Sequence, residues 1–345
     1  MSRPAELPAF ARPRLGFLGV GWIGRHRMEA ILGTDVAEIA AIADPSQDMA
    51  TEAQKLAPEA ELGKSLDDLL ALGLDGIVIA TPSALHAEQA TRALEAGAAV
   101  FCQKPLGRNA AEVRRVVDAA RQADRLLAVD LSYRHTEAMV KITELVRSGT
   151  LGEVYAADLV FHNAYGPDKA WFYDPALSGG GCVMDLGIHL VDLALWLFDF
   201  PAVKHVSSNL FAQGQPLQSR NQVEDYAEVI LELETGAIVR IACSWRLPVG
   251  RDAVIAVNIY GTAGGAAMHN LDGSFYDFLA EHNQGTTRST LASPPDDWGG
   301  GAAVAWASRL AAGQRFDPQA DLFVQSASII DRIYKPRGPM GPPSL

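Results

Sequence analysis

Residues 15–24 of this 345-residue chain read Leu-Gly-Phe-Leu-Gly-Val-Gly-Trp-Ile-Gly, an apolar run that ends in a glycine-rich turn. The apolar part predicts a buried strand, and the glycines have GxGxxG spacing at the point where a helix is expected to begin. Gly19 would allow the tight turn, Gly21 would let backbone approach a pyrophosphate, and Gly24 would permit close packing of helix on strand. The stretch therefore predicts a dinucleotide-binding turn at the start of the chain.

Similar apolar runs without polar alternation recur through the first 135 residues, separated by helical patterns. They occupy residues 15–20, 39–43, 76–80, 98–102 and 126–131. Strands that are covered by helices on both faces have this composition. We therefore expect a Rossmann-type α/β domain over residues 1–135, with a doubly wound parallel sheet.

The second part of the chain has a different pattern. Residues 225–234 alternate apolar and polar side chains, and residues 238–247 and 253–260 are further strand candidates. Alternation predicts antiparallel strands with one covered face. We expect residues 136–345 to form an α+β domain for substrate binding and oligomerisation, with a largely antiparallel, open-faced sheet. Smaller expectations are a long loop over 281–301, a last helix over 318–334 and a disordered tail over 335–345.

Composition excludes several classes of protein. The 41 acidic against 29 basic side chains give a net charge of −12, which disfavours nucleic acid and membrane surfaces as partners. The most apolar stretch, residues 186–200, contains ionisable side chains (His189, Asp192 and Asp199), and residues 1–13 lack the apolar core of a signal peptide. Three cysteines without CxxC spacing are typical of reduced thiols. We expect a cytoplasmic protein.

An acidic residue completes the dinucleotide pattern. Asp44 ends the second apolar run, twenty positions after Gly24 (44 − 24). Its carboxylate could accept hydrogen bonds from the ribose hydroxyls of NAD and would repel the additional phosphate of NADP. We therefore predict NAD rather than NADP, held at the glycines and at Trp22 and Ile23. The alternative is that these are ordinary turn residues and an exposed strand end.

Three further motifs extend the pattern beyond the turn. They are Thr-Pro-Ser-Ala-Leu-His at residues 81–86, Gln-Lys-Pro at 103–105, and Gly-Gly-Gly-Cys-Val-Met-Asp-Leu-Gly-Ile-His-Leu-Val-Asp at 179–192. Together with the glycine turn, they resemble the Gfo/Idh/MocA family of glucose-fructose oxidoreductase, inositol dehydrogenase and rhizopine-catabolism proteins. The resemblance covers residues 15–200. It implies a Rossmann domain followed by a half-open α/β domain, with the active site between them and a dimer or tetramer as the assembly.

The same resemblance implies an NAD- or NADP-dependent reaction at a carbinol carbon of a sugar or polyol. It assigns catalysis to Lys104, Asp185 and His189. It also implies cofactor contacts from Thr81, Pro82, His86, Gln103 and Lys104. Candidate substrate contacts, besides the catalytic residues, are Tyr133, Arg134, His162 and Trp171. Gln103 departs from the family pattern, which has glutamate there.

The residues around Asp185 support an active site on their own. Residues 183–198 are almost wholly apolar, except that Asp185, His189 and Asp192 fall within one stripe of a helix at 100° per residue. Burying three such groups without partners would be costly, so the stripe should face a polar cavity or network. A carboxylate four positions from a histidine suits acid–base chemistry. A metal site and a purely structural network are the alternatives, and we expect no metal.

Two other regions allow functional expectations. Lys104 follows a parallel strand at the sheet edge where such folds bind ligands, so it can stabilise a developing alkoxide; the alternative is a solvated loop lysine. Gly179–Gly181 could let a cofactor or substrate approach the backbone. Three activities stay open at this point: a sugar or polyol dehydrogenase, an NAD-dependent glycosidase that oxidises its substrate transiently, and a dinucleotide-binding regulator without turnover.

Overall fold

The computed structural model describes residues 12–219, 221–296 and 299–335. Within them the chain forms two compact units. The first contains residues 12–106, 115–132 and 299–320, and the second contains 107–114, 133–219, 221–296 and 321–335. The division at 135/136 treats each domain as one continuous stretch and stays a prediction. The predicted disordered tail lies, except for Lys335, outside the described residues.

A six-stranded parallel sheet forms the centre of the first unit. Its strands are β1 (Arg14–Leu18), β2 (Glu38–Ala43), β3 (Glu61–Gly63), β4 (Gly76–Ile79), β5 (Ala99–Cys102) and β6 (Leu127–Val129). The helices that connect them are α1 (Trp22–Leu32), α2 (Gln47–Gln54), α3 (Leu66–Leu70), α4 (Ser83–Glu95) and α5 (Ala110–Ala123). The order β3-β2-β1-β4-β5-β6 confirms the predicted doubly wound fold. Each predicted apolar run contains a strand; β3 was missed because it is short and partly exposed.

A helix from late in the sequence, α9 (Gly301–Ala311), also belongs to the first unit. Its Trp306 is almost fully buried, with its ring 5.8 Å from that of Phe101 on β5. A Cβ on Gly76 would lie 2.8 Å from the Trp306 ring, so glycine makes room for the indole. Nothing in the local sequence predicted that residues 299–320 would belong to the first unit.

The second unit is built on a nine-stranded sheet. Its strands are β7 (Val154–Asn163), β8 (Val203–Ala212), β9 (Gln215–Pro216), β10 (Tyr226–Leu233), β11 (Ile238–Ser244), β12 (Ala253–Gly261), β13 (Gly265–Asn270), β14 (Phe278–Gln284) and β15 (Thr287–Ala292). The order is β15-β14-β13-β12-β7-β11-β10-β8-β9, in which only β7 and β11 pair in parallel. The largely antiparallel sheet is therefore confirmed.

Helices cover one face of this sheet. They are α6 (Glu137–Arg147), α8 (Ile188–Leu197) and α10 (Asp321–Ile333), whereas the short helix α7 (Pro175–Ser178) precedes the glycine run. Alternate residues of β10, from Ala227 to Leu233, join α8 and α10 in one apolar core, whereas Ile230 on the other face is exposed. The predicted last helix thus corresponds to α10. The sheet leaves its second face open, as the alternation predicts.

The prediction of a long loop over residues 281–301 is wrong for the first half of that range. Strands β14 and β15 form a hairpin there, turning at Gly285 with φ of +58°. Four of the six side chains of β15 are exposed polar groups at the edge of the sheet. An edge strand that is solvated on both faces has no apolar alternation, which is why composition suggested a loop.

Candidate active site

The turn after β1 gives its glycines different surroundings. Gly19 has φ of +83°, and a Cβ there would lie 2.6 Å from the Ala80 carbonyl oxygen. A Cβ on Gly24 would lie 2.2 Å from the Gly19 oxygen, whereas one on Gly21 would meet no other part of the described chain within 4 Å. Gly21 is also the N-cap of α1, and no side chain caps that helix. The turn therefore presents uncapped helix N–H groups at the glycine that has space beside it, which fits the pyrophosphate of a dinucleotide.

Asp44 holds the same turn from the end of β2. Its Oδ2 accepts a hydrogen bond from Val20 N at 2.9 Å, and its Oδ1 accepts one from Ser46 N at 2.8 Å. Each carboxylate oxygen keeps a second lone pair for a ribose hydroxyl. Trp22 in the turn is exposed and stacks on His26, while Ile23 is half-buried. These positions fit the predicted dinucleotide contacts, which stay a prediction.

His86 connects two loops at the carboxyl edge of the parallel sheet. Its Nδ1 lies 2.7 Å from the Pro105 oxygen and its Nε2 lies 2.6 Å from the Thr81 oxygen. Burial lowers the pKa of His86, so the ring is neutral near pH 7 and donates one hydrogen bond at a time. His86 therefore connects the loop that contains Thr81 and Pro82 to the loop that contains Gln103. Both loops are predicted to contact the cofactor. Its own contact with the cofactor stays a prediction.

A buried charge cluster includes Gln103, the residue before Lys104. Arg27 Nε donates to Asp130 Oδ2 at 2.6 Å, and Gln103 Nε2 donates to the same oxygen. The Arg27 and Asp130 side chains are 2% and 0% exposed. Lys104 itself is half-buried after β5. Neither Arg27 nor Asp130 was predicted, because neither lies in one of the motifs.

The glycine run is filled by the protein itself, contrary to the expectation of a ligand approach. A Cβ would lie 2.8 Å from Arg108 Cβ at Gly179, 2.0 Å from Tyr334 Oη at Gly180, and 1.9 Å from the Glu224 carbonyl oxygen at Gly181. Glycine is required at all three positions because other segments of the second unit occupy that space.

Glu224 fixes the end of this run. Its carboxylate accepts hydrogen bonds from Gly181 N at 3.0 Å, Val183 N at 2.9 Å and the Tyr334 hydroxyl at 2.7 Å. The residue is fully buried, and burial raises the pKa of Glu224, opposed by those same hydrogen bonds. Neither Glu224 nor Tyr334 was predicted, since nothing local marks them.

A π-helical turn, Val183–Gly187, leads directly into α8. The predicted regular helix is therefore corrected here, because i→i+5 bonding replaces the 100° spacing around Asp185. Single π turns occur often at functional sites. The stretch Pro175–Leu197 is long and apolar enough to cross a membrane, but it is mostly buried within the protein, as core helices are.

The two predicted acid–base residues have aromatic neighbours. Trp245 Nε1 donates to Asp185 Oδ2 at 3.1 Å, and the Asp185 N–H donates to the Gly181 oxygen at 3.1 Å. The His189 ring lies edge-to-face against Tyr133, with centroids 5.1 Å apart, and Tyr133 is buried. Trp245 was missed, although its alternation with inward Cys243 in the predicted strand 238–247 could have indicated that it points inward.

The third residue of the stripe, Asp192, is engaged by Arg134. The guanidinium donates from Nε to Oδ2 at 2.6 Å and from a terminal nitrogen to Oδ1, a bidentate pair. Its carbon also lies 5.2 Å from the centroid of the Phe200 ring. Asp192 is thus neutralised, which leaves the alternative metal site without its third ligand. Within the described ranges no group of three or more metal-ligating side chains is found.

The two remaining substrate candidates differ in their placement. Trp171 stacks on Phe172 at 3.8 Å, and Phe172 packs edge-on to Trp245, so Trp171 belongs to the aromatic group around Asp185. His162 instead bonds Ser244 Oγ through Nδ1 at 2.8 Å on the open face of the sheet. The structure therefore does not bring His162 to the face of Asp185. Its substrate contact stays a prediction.

The cysteines have packing positions. Cys102, Cys182 and Cys243 are buried and free of disulfides. Burial raises the pKa of the Cys102 and Cys182 thiols, so neither is a ready nucleophile.

Two family models match the chain in succession. The NAD-binding Rossmann fold of an oxidoreductase family matches residues 14–131, and the GFO/IDH/MocA C-terminal domain matches residues 139–267. The predicted NAD-binding fold is thereby confirmed. D-glucoside 3-dehydrogenase of Escherichia coli (strain K12) is 30% identical over 233 residues, which are 63% of this chain and 66% of that protein.

Two further similarities involve longer stretches. Inositol 2-dehydrogenase of Acidiphilium cryptum (strain JF-5) is 28% identical over 258 residues, 74% of this chain and 73% of that protein. The solved structure of GenD2 from gentamicin A biosynthesis in complex with NAD has a TM-score of 0.79 at 24% identity, covering 96% of this chain and 95% of that one. That likeness shows a shared fold.

Proposed function

The chain belongs to the GFO/IDH/MocA oxidoreductase family, and on that premise we propose that it is an NAD-dependent dehydrogenase acting on a sugar, inositol or related polyol. The observation that carries the proposal is the match of both family models, whose matched ranges contain Lys104, Asp185 and His189. Two of them are held by defined neighbours, Asp185 by the Trp245 indole and His189 by the Tyr133 ring. The relatives named as glucoside and inositol dehydrogenases support this substrate class.

Each side chain has one role in the proposed reaction. His189 takes the proton of the substrate hydroxyl, and Lys104 stabilises the oxygen as it becomes an alkoxide. Asp185, oriented by Trp245, favours the positive charge that forms on His189. NAD, when bound, would supply the hydride acceptor, C4 of its nicotinamide ring. The products are a carbonyl compound, NADH and one proton.

Substitution of two residues tests these roles. We expect Lys104→Met and His189→Asn each to lower kcat by about a hundredfold or more, the usual scale for acid–base groups, with NAD affinity retained. Lys169→Met and His205→Asn, at exposed positions of the second unit, are the controls. The assay is NADH absorbance over a panel of sugars and inositols. Near-normal turnover by both variants would refute the assignment.

The same panel separates the other activities. Cleavage of a glycoside without net NADH formation would indicate an NAD-dependent glycosidase. Binding of NAD without any turnover would indicate a sugar-responsive regulator. The substrate that gives turnover also defines the oxidised carbon, by analysis of the product.

Asp44 sets the choice of cofactor in this proposal. We expect NAD to bind at least about tenfold more tightly than NADP, because a phosphate beside a carboxylate costs on the order of 1.4 kcal/mol or more. Asp44→Asn, which removes the charge, should narrow that difference. Tighter binding of NADP by the unaltered protein would overturn the role of Asp44.

The open face of the nine-stranded sheet supports an assembly. Ile230, Ile238 and Tyr260 are 39%, 38% and 40% exposed on that face. Apolar groups on an open sheet are typical of subunit contacts. We infer a cytoplasmic homodimer or homotetramer that contacts neither nucleic acid nor membrane. Sedimentation of the protein as a monomer at micromolar concentration would exclude the assembly.

A further inference from the structure

Gln103 and Asp130 are neighbours because their strands are. Cys102 at the end of β5 pairs with Val129 at the end of β6, so the residue after each strand emerges side by side at the carboxyl edge. Their backbones are fixed independently, Gln103 N on the Ile79 oxygen and Asp130 N on the Cys102 oxygen. The contact between the two side chains is therefore set by the register of the sheet.

The chemistry of Asp130 decides how the Gln103 amide is turned. A carboxylate only accepts hydrogen bonds, so the amide must direct its NH2 group to Asp130. Nε2 of Gln103 does so, on the same oxygen that Arg27 Nε contacts. Oε1 of the amide then lies on the other branch, as an acceptor with a fixed direction. Gln103 is 8% exposed, so little space remains for another rotamer.

The charges of the cluster disfavour glutamate at position 103. Arg27 and Asp130 cancel each other, and both are almost completely buried. A glutamate would add a second carboxylate at hydrogen-bond distance from the first, in place of a donor. Oδ1 of Asp130 already lacks a hydrogen-bond donor within the described residues. Two carboxylates in one buried site cannot both ionise without a large penalty.

We propose that Asp130 is a positioning residue for the cofactor: it turns Gln103 so that its carbonyl oxygen accepts a hydrogen bond from a hydroxyl of the nicotinamide ribose. An acceptor is thereby kept at position 103, while the negative charge lies one strand further on, at Asp130, against Arg27. This proposal rests on the proposed function only in that NAD is the ligand. It adds a residue outside every motif to the binding site.

Four proteins test the proposal by binding rather than turnover: the unaltered chain, Gln103→Glu, Asp130→Asn and the double variant. Dissociation constants for NAD and for ADP, which lacks the nicotinamide ribose, are measured by calorimetry on the full chain without substrate. We expect Gln103→Glu to weaken the binding of NAD at least about tenfold and the binding of ADP less than twofold. The cause is repulsion between the new carboxylate and that of Asp130. The double variant restores the charge count and should recover most of the NAD affinity.

The single Asp130→Asn variant frees the amide to turn. We expect it to weaken NAD several-fold with ADP unchanged. Gln122→Glu, an exposed position on α5, adds the same charge to the same unit and should change neither constant. If Gln103→Glu fails to fold while the double variant folds, the carboxylate clash is supported. If neither variant folds, the ratio of the NAD and ADP dissociation constants of Asp130→Asn decides whether Asp130 positions Gln103.

Two results would overturn the positioning role. One is a Gln103→Glu variant that binds NAD as tightly as the unaltered chain. The other is strict additivity, in which Asp130→Asn recovers none of the loss that Gln103→Glu causes. Failure of the proposed function is distinct from both, since a chain that binds ADP and NAD but oxidises nothing still tests Asp130. A chain that binds no NAD at all would refute the cofactor assignment instead.

Discussion

Gly181→Ala is expected to destabilise the second unit severely, for a reason that is visible in the geometry. The new methyl group would lie 1.9 Å from the Glu224 carbonyl oxygen and 2.7 Å from its nitrogen. Cβ atoms essentially never lie within 3.0 Å of another heavy atom, so the backbone must move by at least about 1 Å (3.0 − 1.9). The movement breaks the Cys182 N–H bond to that oxygen and the Gly181 N–H bond to the carboxylate.

The magnitude follows from these two effects. Overpacking of this kind costs about 1–3 kcal/mol, and each lost hydrogen bond costs about 1 kcal/mol more. The sum is about 3–5 kcal/mol, which for a unit of this size lowers Tm by roughly 6–20 °C. Because Asp185 N bonds the Gly181 oxygen, the π turn must move as well, and kcat should fall with it.

Differential scanning calorimetry of the apo protein is the measurement, followed by kcat on the substrate found in the panel. Gly33→Ala is the matched control, since its Cβ would meet only ordinary contacts at 3.5 Å and its φ of −60° suits alanine. The control should be neutral or stabilise by up to about 1 kcal/mol. A Gly181→Ala protein whose Tm lies within 2 °C of that of the unaltered chain would refute the steric reasoning, because such a shift corresponds to about 1 kcal/mol or less.

Two further variants test the surroundings of the site. Trp245→Phe removes the N–H that bonds Asp185, so kcat should fall about tenfold while the dissociation constant for NAD is unchanged; an unchanged kcat would show that the indole does not orient the carboxylate. Burial lowers the pKa of His86, so the unfolded chain binds the additional proton, and stability present above about pH 6.5 is lost as pH falls. His86→Gln should reduce the slope of the free energy of unfolding against pH, by at most about 1.4 kcal/mol per pH unit. The slope is measured by denaturant titrations between pH 7.5 and 5.5. His205→Gln, at an exposed position, should leave the slope unchanged. Equal pH slopes for the two variants would contradict the interpretation.

Much of the fold is predictable because its strands have local signals. Apolar runs without alternation identify strands that helices cover on both faces, and five of the six strands of the parallel sheet were found in this way. Alternation over residues 225–234 identified β10 and its inward face. The strand β15 was missed because an edge strand exposed on both faces has no pattern to detect. Helix α9 was missed because its packing partners, α1 and β5, lie far earlier in the sequence.

The candidate site was predictable to the extent that its chemistry is concentrated in motifs. Lys104, Asp185 and His189 lie in such stretches. Their supporting partners do not, because those contacts connect distant parts of the chain: Trp245 is 60 residues from Asp185, and Arg27 is 103 residues from Asp130. A hydrogen bond across such a separation depends on sheet register and helix packing, which sequence alone does not determine.

The glycines show where the same sequence signal has two physical causes. A glycine in a motif indicates that something lies where a Cβ would be, but not whether that neighbour is a ligand or the protein. At Gly180 and Gly181 the space is taken by Tyr334 and Glu224, so these glycines serve the packing of the π turn. At Gly21 a Cβ would meet no atom of the described residues within 4 Å, the chain neighbours and the backbone of α1 aside. Because an alanine there would be sterically harmless to the apo protein, any loss of NAD affinity in Gly21→Ala must come from the ligand itself.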